Sequence, residues 1–139
     1  MLSEDQVDLI RDSAERLADA NVAATNAFYA NLFKVAPAVR TLFPDDMFEQ
    51  SEKLWNSIVM VVESVDDLQE IENALKALGA RHVAYGAQPS HYPVVTSVLI
   101  ETISILMQDE WTEAHQTAWQ AALEAICATM LEGAAQRAA

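Results

Sequence analysis

Three observations predict an all-α protein. Only three glycines and four prolines punctuate the 139 residues, too few for the turn-rich connections of a β-fold. Strict apolar/polar alternation, the mark of a half-buried strand, is missing; apolar residues recur at helical spacing instead. Alanine and leucine are abundant, and both favour helix; the 52% of hydrophobic residues excludes a disordered tail. The length suits a single domain spanning 1–139, and no internal repeat, low-complexity tract or linker divides it.

The elements follow in order. Ser3-x-x-Gln6 is a capping-box signature opening a helix to about Asp19, with Val7, Ile10, Ala14 and Leu17 as its inner stripe. A second helix runs from about Val22 to Val35, with Phe28, Leu32 and Val35 on one face. Pro37 starts a short helix to Leu42, and Pro44 ends it. Asp45 or Asp46, with Glu49 following, caps the next helix, which reaches about Val65 and aligns Gln50, Leu54, Ile58 and Val61. Asp67 caps a helix that carries His82 and is stopped by Gly86. A long helix from about Ser90 to Met107 places Tyr92, Val95, Leu99, Ile103 and Leu106 in register. Thr112 opens the last helix, reaching about Gly133, with Trp119, Ala122, Ile126 and Met130 inward. The count is six to seven helices.

Composition excludes several functions. The formal net charge is −13 and the basic residues are scattered, whereas nucleic acid demands a basic patch and anionic lipid a basic amphipathic helix. No run approaches about 18 apolar residues, so no membrane span is expected. The single cysteine, Cys127, cannot close an internal disulfide, and its neighbours Ile126 and Met130 suit a small core residue. The N-terminal Met1-Leu2-Ser3-Glu4-Asp5 lacks the basic and apolar regions of a secretory signal. A cytoplasmic protein acting on small molecules or electrons is the expectation.

His82 is the most informative residue. Leu75, Leu78 and His82 fall at i, i+3 and i+7, so the imidazole shares a face with leucines. A buried ring nitrogen needs a partner, because leaving it unpaired costs about 1–3 kcal/mol. Spacing alone leaves two readings open: a core histidine satisfied by a backbone carbonyl, or a neutral imidazole ligating a metal.

A wider pattern bears on that choice. Phe28-Tyr29-Ala30-Asn31-Leu32-Phe33 is followed by Pro37-x-x-Arg40-x-Leu42-Phe43, then Gln50-Ser51-Glu52-Lys53-Leu54. Leu78-Gly79-x-Arg81-His82-x-x-Tyr85-Gly86 precedes Pro89-x-His91-Tyr92-Pro93-x-Val95, and Trp111-Thr112-Glu113 precedes Ala118-Trp119. In order and spacing these resemble the bacterial globins: the haem domain of flavohaemoglobins and their free-standing single-domain relatives. The resemblance implies a globin fold around haem b (iron protoporphyrin IX), held non-covalently since no Cys-x-x-Cys-His is present. It makes His82 the proximal iron ligand, Phe43 the phenyl against the porphyrin, Tyr29 and Gln50 the distal polar pair, and Leu54 the apolar lining of the gas site. Lys53 and Arg81 become candidate propionate partners, though each also reads as an ordinary surface charge. Taken singly, Tyr29, Gln50 and Phe43 also read as packing or surface residues. Trp55, Trp111 and Trp119 read as packing residues, and His91 and His115 as solvated.

Two departures from the flavohaemoglobin pattern matter. The reductase part of those proteins has no counterpart among these residues, so electrons are expected from an external reductase. The relatives also join the proximal histidine, a tyrosine and a glutamate in one network. Tyr92 fits the tyrosine, but ungapped alignment puts Ala134 at the glutamate position, with Glu132 two residues away. The expected function is reversible binding of O2, with NO and CO as further ligands. The alternative is a nitric oxide dioxygenase served by a separate reductase, or weak peroxidase activity. A sensor is disfavoured because no appended signalling domain is expected, and a haem-free globin because of His82 and Tyr29 together; a cofactor-free helical module is the remaining reading.

Overall fold

The computed structural model describes residues 2–138. Six α-helices, α1 (Glu4–Leu17), α2 (Val22–Val35), α3 (Phe48–Glu63), α4 (Glu72–Ala84), α5 (His91–Met107) and α6 (Glu113–Ala138), make up the fold, and no strand occurs among the described residues. Single 3-10 segments at Pro37–Leu42, Leu68–Ile71 and Gln108–Glu110 carry the chain around corners. No described helix is long and apolar enough to cross a membrane.

Local chemistry sets most boundaries. Ser3 Oγ accepts the Gln6 amide, and the Gln6 side chain accepts the Ser3 amide, both at 3.1 Å, so α1 starts with the expected reciprocal cap. The Asp46 carboxylate accepts the Phe48 amide at 3.0 Å and starts α3. Asp67 does not cap the next helix: its carbonyl accepts the Glu70 amide and closes a 3-10 turn, so α4 begins only at Glu72. Gly86, at φ 92°, ends α4 as expected. The Ala87 amide returns to the His82 carbonyl and the Gly86 amide to that of Val83, a Schellman closure that needs a left-handed residue.

Three apolar clusters fill the interior. Val7, Ile10 and Leu17 of α1 meet Ile100 and Ile103 of α5 and Trp119 and Ala122 of α6. Phe28, Tyr29 and Leu32 of α2 pack on Val98 of α5. Leu75 of α4 packs with Tyr92, Ile126 and Met130. The inward stripe expected for α6 is the one observed. Ala14 is only half-buried, and Ser13 is the fully buried residue beside it.

Two expectations about faces fail. Val35 is 61% exposed at the end of α2. In α5, Val95 and Leu106 are exposed while Thr96 and Thr102 are buried, because this helix is covered on more than one side. The Thr102 hydroxyl satisfies itself by donating to the Val98 carbonyl at 2.8 Å and accepting from Asn31 at 3.3 Å.

Gly133 does not end α6, which continues to Ala138. A Cβ at Gly133 would collide with the Lys76 carbonyl, and one at Gly79 with that of Met130. Each helix thus lays its backbone against the other through a residue without a side chain, which clamps the helix bearing His82 onto α6.

Candidate functional site

Two polar groups from different helices meet at the start of α3. Tyr29 on α2 is buried at 6% exposure, and Gln50 in the first turn of α3 donates from Nε2 to its hydroxyl at 3.1 Å. Burial pushes the phenol above its usual range, and the amide's hydrogen bond offsets part of that rise. Tyr29 is therefore protonated at neutral pH. Its oxygen accepts from Gln50, while its own proton has no acceptor among the described residues. The pair can donate to a third group.

An aromatic wall backs this pair. Tyr29 lies edge-on to Phe28 and Phe43, at 5.0 and 5.4 Å between ring centroids, and stacks on Phe33 at 5.9 Å. Phe43 also contacts Phe33 at 5.5 Å. Arg40 fixes the corner that presents Phe43. Its guanidinium lies 4.9 Å from the Phe33 ring and donates to the carbonyls of Phe43, Pro44 and Asp45 at 2.9–3.4 Å. Leu54, one turn beyond Gln50, packs on the same cluster.

His82 lies half-buried near the end of α4, and its Nδ1 sits 2.7 Å from the Leu78 carbonyl. A carbonyl only accepts, so Nδ1 carries a proton, and in the neutral ring Nε2 is the atom with the lone pair. The first reading left open by the sequence, a histidine satisfied by a backbone carbonyl, matches this contact; the second would use the other ring nitrogen. The rings of Tyr85 and Tyr92 lie 5.5 and 6.4 Å from the imidazole.

These groups fit a haem. The described residues contain no group of three or more His, Cys, Asp or Glu able to hold a metal ion. A single imidazole could instead hold an iron whose remaining ligands a macrocycle would supply. Helix α3 supports this. Gln50, Leu54, Ile58 and Val61, the face expected from the sequence, are all half-buried, and Ser51 is the helix's sole fully buried residue. Along α4, Leu75 is buried while Leu78 and His82 are half-buried. Half-burial leaves part of each of these faces open to a further group.

The remaining candidates separate. Lys53 and Arg81 are exposed and form no ion pair among the described residues. Tyr92 is buried against Leu75, Ile126 and Met130. Burial raises its phenol pKa first, and the neighbouring Cys127 adds to the rise. Glu132 sits 3.8 Å from Lys76, which also pairs with Glu72 at 3.4 Å, so it belongs to an α4–α6 surface bridge. His115 is buried rather than solvated: Nδ1 folds back onto the Thr112 amide and hydroxyl, at 3.2 and 2.8 Å, and the ring stacks on Trp111. His91 is half-buried and accepts the Gln88 amide at 3.0 Å. Trp119 is core, donating to Ser13 at 2.9 Å, and Trp55 and Trp111 pack against the same cluster.

Sequence reasoning passed over Phe33, the Leu78 carbonyl and the paired glycines. Phe33 follows Tyr29 at i+4 and Leu78 precedes His82 at i−4, so helical spacing held the signal for both.

The sequence pattern of the globin family matches residues 26–130. This chain belongs to the globin family. It is 29% identical over 131 residues to an uncharacterised globin-like protein of Aquifex aeolicus, covering 94% of this chain and 93% of that one. It is 28% identical over 125 residues to a flavohaemoprotein of Vibrio cholerae, covering 88% of this chain but only 32% of that protein. Among solved structures, a bacterial globin from Campylobacter jejuni superposes with a TM-score of 0.86 at 25% identity, covering 96% of this chain and 97% of that one.

Proposed function

We propose that this globin holds b-type haem through Nε2 of His82 and binds O2 reversibly on the side occupied by Tyr29 and Gln50. The observation that carries the reading is the complementary state of the two polar sites: an imidazole with one nitrogen tied to a carbonyl, and a phenol whose proton is unspent. When bound, the haem supplies an iron able to coordinate a diatomic ligand. His82 would hold the iron through Nε2, and the Leu78 carbonyl would keep its ring in one orientation and one tautomer. Phe43 and Leu54 exclude water from the ligand side. Tyr29 would donate a hydrogen bond to an electron-rich ligand such as O2, with Gln50 holding the phenol in place. Lys53 and Arg81 are the proposed propionate partners, and a reducing, cytoplasmic setting fits the unpaired Cys127.

The surroundings of Tyr92 favour reversible binding over oxidative turnover. Apolar side chains and Cys127 contact it from α6, and Glu132, the nearby glutamate, is engaged by Lys76. With Glu132 so engaged, the Tyr92 side would push less electron density toward an iron held by His82, and Glu124, which lines the same cavity as Tyr92 and Cys127, is the remaining carboxylate on that side. One absorption spectrum tests the cofactor: the purified protein, reduced and then exposed to O2 and to CO, should show a haem Soret band that shifts with each gas. His82→Ala should abolish or loosen haem incorporation and lower the melting temperature, since a cofactor that binds only the folded state stabilises it by mass action. A variant with unchanged Soret band and unchanged melting would remove His82 from its assigned role.

A further inference from the structure

We infer that Thr25, Asn26 and Ser51 form a hydrogen-bonded clamp between α2 and α3 that sets the Tyr29–Gln50 contact and thereby the rate of O2 release; the inference rests on the distal reading proposed above. Ser51 is completely buried and Thr25 is 1% exposed. The Thr25 hydroxyl is 3.0 Å from the Ser51 carbonyl and 3.0 Å from the Val22 carbonyl of its own helix. In the other direction, the Ser51 hydroxyl donates to Oδ1 of Asn26 at 2.6 Å. Two bonds of opposite sense thus cross one helix contact, built from side chains small enough to let the helices approach.

The clamp is aligned with the distal pair. Thr25 and Asn26 precede Tyr29 by four and three residues, so they lie one turn below it on α2. Ser51 is the residue next to Gln50, and it is the only position where α3 is fully buried. The rest of the α3 face bordering the site is half-buried, so little else fixes the height and rotation of that helix beside Tyr29. A shift of a few tenths of an ångström lengthens the 3.1 Å bond between Gln50 and Tyr29 and weakens it. Thr25, Asn26 and Ser51 are therefore positioning residues that act through the pair.

The test uses the haem-loaded full chain. Thr25→Val preserves shape but removes one crossing bond; Ser51→Ala removes the other and leaves Asn26, which is exposed, to be satisfied by water. The double variant should release O2 roughly 2- to 12-fold faster, the worth of one ordinary hydrogen bond, with CO release unchanged. Thr25→Ser, which retains the hydroxyl, should restore the wild-type rate in the Ser51-intact chain. Two spectroscopic signatures should accompany the change: a shift in the CO stretching band, which reads the field from the distal donors, and movement of the Gln50 side-chain amide resonances in the CO-saturated protein.

In a Tyr29→Phe background the clamp substitutions should have no further effect on O2 release. Additive effects there would mean that Thr25 and Ser51 act on packing alone, and the inference would be wrong. Wild-type O2 release in the double variant, with Tyr29→Phe still fast, would overturn the clamp but leave the distal reading standing. If Tyr29→Phe itself leaves O2 release unchanged, the distal reading fails and the clamp's effect on O2 falls with it.

Discussion

On the proposed reading, Tyr29 concentrates the chemistry of the distal side in one hydroxyl. O2 on a reduced iron draws electron density outward, whereas CO carries little charge to hydrogen-bond. A donor inside a low-dielectric pocket is worth about 1–3 kcal/mol to the former, roughly 5- to 150-fold in affinity. Tyr29→Phe should raise O2 dissociation by that factor and barely change CO dissociation. Gln50→Leu should act in the same direction, with the pair non-additive because both work on one ligand; stopped-flow ligand replacement measures all three. Equal effects on O2 and CO would indicate a steric role. Burial also gives Tyr29 a signature in alkaline unfolding. Its folded pKa lies above the ordinary value of 10.0, so between the two values the unfolded chain has released a proton that the folded chain retains. Stability from this group is complete below pH ~10 and is lost as pH rises toward the folded pKa. Urea midpoints measured upward from neutral pH should fall above about pH 10, and less steeply in Tyr29→Phe. At this scale the sequence was informative because Tyr29, Gln50 and His82 are chemically unusual for their positions. His115 was misplaced because its burial comes from folding back onto Thr112 and stacking on Trp111, which no helical spacing displays.

Helices were legible where their ends are chemical and less so where their ends or faces depend on neighbours. The Ser3–Gln6 box and the Gly86 stop lie in the local sequence and appear in the structure. The start of α4 shifted because the Asp67 carbonyl, rather than its side chain, captured the next turn. The run of α6 past Gly133 has a tertiary cause: that glycine is a point of contact with Lys76, matched by Gly79 against Met130. Gly79→Ala and Gly133→Ala each place a methyl group into a backbone carbonyl that cannot rotate aside. Each should destabilise the protein by about 1–3 kcal/mol, the usual cost of overpacking, and toward the upper end because the obstacle is main chain. Urea unfolding should show lower midpoints with unchanged slope. Haem should also transfer faster to an apoprotein acceptor, since separating α4 from α6 displaces His82. A midpoint equal to wild type in either variant would mean that the two helices slide apart without loss.

At the scale of the whole molecule, the sequence delivered the globin architecture through widely separated residues in the right order, while the proposed choice between reversible binding and turnover rests on what surrounds Tyr92. That environment is assembled from α4, α5 and α6 and could not be read from the α6 sequence, where Glu132 and Ala134 competed for one expected role. Glu132 lies 3.8 Å from Lys76, apolar side chains pack on Tyr92, and Glu124 lines the same cavity. The consequence is testable in turnover. Globins that bind O2 generally consume NO once, so a single turnover distinguishes nothing; repeated turnover requires the iron to be reduced again after each cycle. With excess reductase and NADH, we expect slow sustained NO consumption, limited by reduction and well below the rate of a single turnover. An electrode trace of NO under air measures both phases in one experiment. Fast, sustained consumption with a cellular reductase would make nitric oxide dioxygenation the primary activity. It would also show that a carboxylate partner for Tyr92 is unnecessary for that chemistry in this fold.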